Sequence, residues 1–312
     1  MSAPTFRLAH LSDMHVEPDP PDASDAARRY AAEGFADALR SLARLDPAPD
    51  LLVTGGDHIM DALERPLDDV LRQWQLYTRT LREHCSLPVY PVVGNHDVFG
   101  WMTDAVPPDT PGYGKALACQ MLGLSRTYYS LDLGPDLGGW HLVFLDNTQP
   151  CQRGYFGGLD ATQEHWLARD LAAVPSTRHI AVISHIPIVS VCAQHFFAPE
   201  QRVDFWKIYD VFVHHDAREL VDLLARHRVR LCLSAHIHML DRIEFRGITF
   251  ICDGSVSGDW WRGPFRGFPE GYGVIDLFPD GTFRHQYHTY PRTHPSRAAS
   301  ADPTAEPAFT TP

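Results

Sequence analysis

Lysine is almost missing from this 312-residue chain: Lys115 and Lys207 are the only two, and arginine supplies the rest of its 27 basic residues, against 39 acidic ones. The formal net charge is −12. Long nucleic acid is bound mainly by phosphate neutralisation over an extended basic surface, so this balance argues against such a partner. Long apolar runs are missing too. No stretch reaches the roughly 20 apolar residues of a membrane span, although a hydrophobic content of 44% is ample for a core. The six cysteines show no Cys-x-x-Cys spacing, and Cys232 and Cys252 sit in apolar runs where a free thiol packs as a small hydrophobe. No basic segment followed by an apolar one precedes the first strand-like run, which points to a cytoplasmic protein.

What the chain does have is a recurring pairing of apolar runs with polar residues. Phe6–Leu11, Leu51–Thr54, Val89–Val93, His179–Ser184 and Leu231–Ser234 read as buried strands. After them come Asp13 and His15, Asp57, Asn95 and His96, His185, and His236 and His238. In open α/β sheets the loops at the carboxyl ends of strands converge on one crevice, so strands sharing sheets would bring these residues together. Helical spacing over Ala23–Leu45, Leu67–His84, Thr162–Ala173 and Ala217–His227 completes a strand, helix, strand alternation, an α/β class with partly parallel sheets.

Hard carboxylate and amide oxygens mixed with imidazole nitrogens suit manganese, iron or zinc better than calcium or copper(I). A carboxylate such as Asp57 can bridge two ions roughly 3.5–4 Å apart, the spacing used in two-metal hydrolysis. Residues two apart in extended chain point the same way, so Asp13 with His15, and His236 with His238, can each reach one ion. Singly these motifs are weak, because 18 histidines produce about one His-x-His pair by chance. The ordered set carries the reading. An acidic chain still accepts an anionic substrate where bound cations reverse the local charge.

Quoted in order, the motifs are Ser-Asp-Met-His (12–15), Gly-Gly-Asp-His-Ile-Met-Asp (55–61), Gly-Asn-His-Asp (94–97), Ser-His-Ile-Pro (184–187) and Ser-Ala-His-Ile-His (234–238). Over Phe6 to about Tyr290 the sequence resembles the calcineurin-like metallophosphoesterase superfamily. The resemblance implies a four-layer α/β/β/α sandwich of two mixed sheets flanked by helices. It implies one ion on Asp13, His15, Asp57 and His238, and another on Asp57, Asn95, His185 and His236. His96 would be a catalytic histidine that binds no metal, and hydroxide formed at the ions would attack a small phosphoester. Ala235 departs from the usual Gly-His-x-His, which alters backbone freedom but not ligation. Met60 stands where purple acid phosphatases keep a ligand tyrosine and Ser/Thr protein phosphatases an aspartate. What remains is similar to the bacterial group of class III cyclic-nucleotide phosphodiesterases and glycerophosphodiesterases. A phosphomonoesterase or protein phosphatase, a nuclease of the same fold and a non-catalytic metal-binding scaffold are the alternatives.

Other residues have two readings each. Trp260, Trp261 and Arg262, with Arg266 beyond them, either form a packed loop or offer a stacking face for a base and a grip for phosphate. The aromatic stretch from Phe196 to Phe212 is either core packing or a lid or homo-oligomer contact. Asp97 either orients His96 or caps a turn, and His58 is expected to face solvent. Residues 1–290 are read as one catalytic domain, and 291–312, rich in Pro, Ser, Thr and Ala, as a disordered tail.

Overall fold

The computed structural model describes residues 6–18, 28–135, 138–152, 154–197, 200–201, 206–207 and 209–294. Two mixed sheets lie face to face. The first has the order β15-β14-β1-β2-β3, from Phe283–Thr289, Gly271–Leu277, Phe6–Leu11, Leu51–Thr54 and Val89–Pro91. The second has the order β12-β13-β11-β8-β5-β4, from Asp241–Phe245, Ile248–Cys252, Val229–Ser234, His179–Ile183, Trp140–Phe144 and Tyr129–Leu133. Short hairpin pairs join β6 (Thr148–Cys151) to β7 (Gly154–Gly157) and β9 (Glu200–Gln201) to β10 (Trp206–Lys207).

Strands β1, β2 and β3 run parallel, as do β5, β8, β11 and β13. Their carboxyl ends therefore emerge together. β2, β5 and β13 are buried along their whole length on both faces, and side-chain alternation divides their residues between two environments. Leu8, Leu51 and Val53 of one sheet meet Leu142, Phe144, Ile183 and Leu233 of the other in the inter-sheet core. On the outer face of the first sheet, Ala9, Leu11 and Leu52 pack against Phe35 and Leu39 of α1 (Ala31–Leu42) and Val70, Trp74 and Tyr77 of α2 (Leu67–His84). On the outer face of the second, Val143, Val182 and Cys232 pack against Leu167 and Leu171 of α4 (Ala161–Ala173) and Leu220 and Leu224 of α6 (Ala217–Arg226). This is the four-layer arrangement. Two short helices, α3 (Ala116–Leu122) and α5 (Val191–Phe196), lie in the connections.

Local chemistry explains several boundaries. Asp160 caps α4 by accepting from the Gln163 amide at 2.8 Å. Pro66 precedes α2 and Asp68 and Asp69 occupy its first turn, where carboxylates complement the helix dipole. The third strand stops at Pro91, two residues short of expectation, because Val92 and Val93 already lead into the Gly94 loop. The first helical spacing resolves into a short 3-10 turn, Arg28–Tyr30, and α1, and residues 23–27 lie outside the described set.

Anchored structure continues past Tyr290, where a tail was expected to begin. The Thr293 amide and hydroxyl donate to Asp37 at 2.6 and 2.8 Å, and His294 stacks on Tyr30 with centroids 4.1 Å apart. Residues 295–312 lie outside the described set.

Candidate metal centre

The loops after β1, β2, β3, β8 and β11 are stitched to one another by backbone hydrogen bonds. Asp13 N–H donates to Gly56 O at 3.1 Å, His15 N–H to Asp57 O at 3.0 Å, and Ala235 N–H to His185 O at 2.9 Å. Asp13, His15, Asp57, His236 and His238 all have positive φ, between 43° and 74°. Such backbone is disfavoured for side chains with a Cβ and collects at functional sites. Gly94 permits a close approach between two of these loops, since a Cβ there would overlap Asp57 Oδ1 and the Asp57 amide.

Three groups of ligand-type atoms result, each within 4.8 Å: Asp13, His15 and His238; Asp57, His185 and His236; and His15, Asp57 and His96. Asn95 joins the second group, with Oδ1 3.1 Å from His185 Nε2. Everything in these groups is buried except His96 and His236, which are half-buried.

The ring tautomers show what the cluster is built to hold. His185 Nδ1 meets Gly55 O at 2.8 Å, His236 Nε2 meets Val211 O at 2.8 Å, and His238 Nδ1 meets Gly258 O at 2.5 Å. A carbonyl only accepts, so these nitrogens carry the N–H and the opposite ring nitrogens carry lone pairs. Those lone pairs face inward. His185 Nε2 is 3.2 Å from His236 Nδ1 and 3.3 Å from Asp57 Oδ2, and His238 Nε2 is 3.1 Å from His15 Nε2 and 3.4 Å from Asp13 Oδ1. Asp13 Oδ1 and His15 Nδ1 are buried with no hydrogen-bond partner among the described residues. Lone pairs packed against lone pairs repel unless a cation sits between them, so the donor set fits a pair of metal ions.

The same pull toward positive charge appears in the acidities. Burial opposes a charged Asp13, yet His238 overrides it and holds the carboxyl at about 2. Burial would likewise depress His185, but Asp57 pushes it up to about 9. Burial and the neighbouring His185 drive His236 down to about 3. Metal-free, the second group thus takes one proton where a cation would lie.

His96 is oriented from behind. Its Nδ1 meets Met60 O at 2.6 Å, which leaves Nε2 on the far side of the ring, and its amide donates to Asp57 Oδ1 at 2.8 Å. Asp97 has neither of its expected roles. It accepts from the amides of Asp57 (3.1 Å), His58 (2.8 Å) and Gly94 (2.8 Å) and bonds His58 Nδ1 (2.8 Å), fastening two metal loops together. His58, expected at the surface, is wholly buried between that carboxylate, Thr54 and the rings of Trp74 and Tyr77, because its two ring nitrogens find partners inside.

Asn147, not anticipated, clamps the His185 loop by accepting from Ile186 N–H at 3.1 Å and donating to Ile186 O at 2.7 Å. It follows the β5 apolar run as the ligands follow theirs, so a signal for it existed. Tyr155 on β7, also unanticipated, sets its ring edge-on to His236 at 6.1 Å.

Trp260 and Trp261 part company. Trp260 is half-buried and lies over the ligand rings, 4.7 Å from His238 and 5.8 Å from His15. Trp261 is fully buried with its indole N–H on His15 O at 3.1 Å, so it has no face for a substrate base. Arg262 is exposed. The aromatic stretch forms its own cluster rather than joining the sheet core. Phe197 stacks on Phe212 at 4.1 Å, Phe212 lies 6.3 Å from His236, and Arg266 sits over Phe196, Phe197 and Phe265 at 5.3–5.5 Å. The side chains of Phe205 and Trp206 lie outside the described set.

A two-sheet sandwich with paired metal-ligand groups at its strand ends defines a dinuclear metallohydrolase architecture. The chain belongs to the calcineurin-like phosphoesterase family, whose model matches residues 6–240, and is thus a phosphoric ester hydrolase by family. It is 25% identical over 291 residues to a probable cyclic nucleotide phosphodiesterase of Synechococcus sp., covering 92% of this chain and 93% of the relative. It is 23% identical over 298 residues to a 3',5'-cyclic-nucleotide phosphodiesterase of Nostoc sp., covering 92% and 94%. Among solved structures, a dimetal phosphatase from Danio rerio superposes with a TM-score of 0.62 at 18% identity, covering 92% of this chain and all of that one. GAP50, the anchor in the inner membrane complex of Plasmodium, superposes with a TM-score of 0.52 at 16% identity, covering 93% and 90%. These two likenesses concern the fold. No described helix is long and apolar enough to cross a membrane.

Proposed function

We propose that this chain is a two-metal phosphodiesterase acting on small diesters, cyclic nucleotides or glycerophosphodiesters. One ion would be held by Asp13, His15, Asp57 and His238 and the other by Asp57, Asn95, His185 and His236. The observation that carries the reading is the inward convergence of histidine ring nitrogens and carboxylate oxygens, with His96 oriented beside them. When bound, manganese, iron or zinc supplies an acidified water and draws charge from the phosphoryl oxygens.

The chain's residues do the rest. Met60 O holds the proton on His96 Nδ1, so Nε2 is the nitrogen that exchanges a proton with the substrate: protonated there as the imidazolium, His96 would give that proton to the leaving alkoxide and return to the neutral ring. Trp260 provides an apolar ring face above the ligands against which a base or an alkyl alcohol can lie. A monoester carries one more negative charge than a diester and calls for further donors. The five motifs that supply the candidate ligands (12–15, 55–61, 94–97, 184–187 and 234–238) contain no arginine or lysine, and this favours diesters. The relatives named as cyclic nucleotide phosphodiesterases support the same choice. The complete ligand set favours an enzyme over a scaffold.

The test compares kcat/KM of the manganese-loaded protein for cAMP, glycerophosphocholine, bis(p-nitrophenyl) phosphate, p-nitrophenyl phosphate and a phosphopeptide. Diesters should lead by tenfold or more. A monoester or phosphopeptide preference of that size would overturn the diester reading.

A further inference from the structure

His15 differs from the other three candidate ligand histidines. Gly55 O, Val211 O and Gly258 O each grip the outer ring nitrogen of His185, His236 and His238. His15 Nδ1 is buried and, among the described residues, has no partner. No hydrogen bond among the described residues therefore holds its ring from behind, and apart from the neighbouring rings of His96, His238 and Trp260 its direction is set by its backbone. That backbone sits at φ 43°, a conformation that relaxes unless both peptide groups beside it are held. The N–H is held by Asp57 O at 3.0 Å. The C=O is held by the indole N–H of Trp261 at 3.1 Å.

Trp261 is itself locked on every side. Its ring packs on α1 at Gly34, where a Cβ would collide with it. Its backbone amide N–H donates to Ser257 O at 2.7 Å, and the Ser257 backbone N–H in turn reaches Asp13 O at 3.2 Å. The Arg292 guanidinium lies 5.2 Å over the indole and donates to Trp261 O at 3.0 Å and to Glu270 at 3.3 Å. Next to it, Thr293 ties the same segment to Asp37 of α1.

We propose that Trp261 is a positioning residue for the ion assigned to Asp13, His15, Asp57 and His238, taking the place of the outer hydrogen bond that His15 lacks. Arg292 is the bolt that holds Trp261 in register. Anchoring groups behind metal ligands are worth about 10–100-fold in metal affinity. The effect is confined to one ion, because none of the contacts described for Trp261 or Arg292 reaches the shared Asp57 or Asn95, His185 or His236.

Metal stoichiometry tests this independently of activity. Trp261→Phe keeps most of the ring and removes only the N–H. Titrated with manganese and followed by electron paramagnetic resonance and elemental analysis, wild type should take up two ions per chain. The variant should bind one of them about 10–100-fold more weakly and lose the spin coupling of the pair at limiting metal, with the other affinity within threefold of wild type. Arg292→Met should shift the same ion in the same direction by less, and Arg292→Lys should restore part of it. Wild-type affinities for both ions in Trp261→Phe would overturn the proposal. So would equal weakening of both ions with a lowered Tm, the mark of a general packing defect. The proposal rests on the two-metal reading, and wild type failing to take up two ions would remove that reading and this one together. Two ions in wild type with no selective loss in Trp261→Phe would remove this one alone.

Discussion

His96 Nδ1 and the Met60 carbonyl oxygen are 2.6 Å apart, so a backbone group, not a carboxylate, sets the histidine's tautomer. His96 lies edge-on to His15 with centroids 4.6 Å apart, close enough to be mistaken for a ligand. If it transfers a proton and binds no metal, His96→Ala keeps both ions and loses about 10²–10⁴-fold in kcat. Metal content and single-turnover rates on an activated diester check this. Loss of an ion in the variant would return His96 to the ligand set.

Asp97 is a buried carboxylate accepting four hydrogen bonds from two loops. Asparagine has the same shape, but its amide nitrogen turns a donor toward donors. Hydrogen bonds to a charged group contribute about 1.5–3 kcal/mol each, and at least one is lost. Asp97→Asn should therefore cost about 2–4 kcal/mol in urea unfolding and weaken both ions, since Asp57 serves each. Unchanged stability and metal content would show that the loops are held some other way.

The clustering of the candidate ligand residues and the parallel strands behind them were legible because each pairs a short apolar run with a polar residue of distinctive type. What escaped was carried by groups with no sequence signature. The carbonyls of Gly55, Met60, Val211 and Gly258 orient the histidines, and any residue type offers a carbonyl. His58 misled, and Trp261 was left with two readings, for a related reason. A histidine or tryptophan beside a site reads as exposed chemistry until the partners that satisfy its ring nitrogens, Asp97 and Thr54 in one case and His15 O in the other, are brought in by folding. The anchoring of Thr293 and His294 rests on contacts with Asp37 and Tyr30, more than 250 residues away in sequence, which composition does not register.

Removing metal should destabilise the fold as well as the activity. Without cations the inward ring nitrogens of His15 and His238, and of His185 and His236, are left 3.1 and 3.2 Å apart with only a proton to offset the repulsion in the second pair. Ligand binding stabilises by RT ln(1 + [L]/Kd), about 2.7 kcal/mol per ion at a hundredfold excess over Kd. Chelation should lower Tm by roughly 5–15 °C, with recovery on adding manganese. A Tm indifferent to chelator and metal would mean that the cluster holds no ion strongly.

The acid limb of stability should depend on His214. This side chain is 3% exposed, and both ring nitrogens lack hydrogen-bond partners among the described residues. Burial is the main cause that drives it down to about 4, against a weaker opposing pull from Asp216. Between the ordinary value near 6.5 and about 4, the unfolded chain takes up a proton that the folded one refuses. Stability contributed by the neutral ring is thus fully present above about 6.5 and is lost as pH falls toward 4. At pH 4.5 that loss is about 2–3 kcal/mol relative to pH 7. His214→Leu fills a similar volume without titrating, so it should flatten this part of the profile. Urea unfolding of metal-free protein at pH 7 and 4.5 measures the difference, with the ligand histidines common to both proteins. A variant that loses as much stability as wild type over that interval would show that His214 is protonated without penalty and that its burial does not set the acid limit.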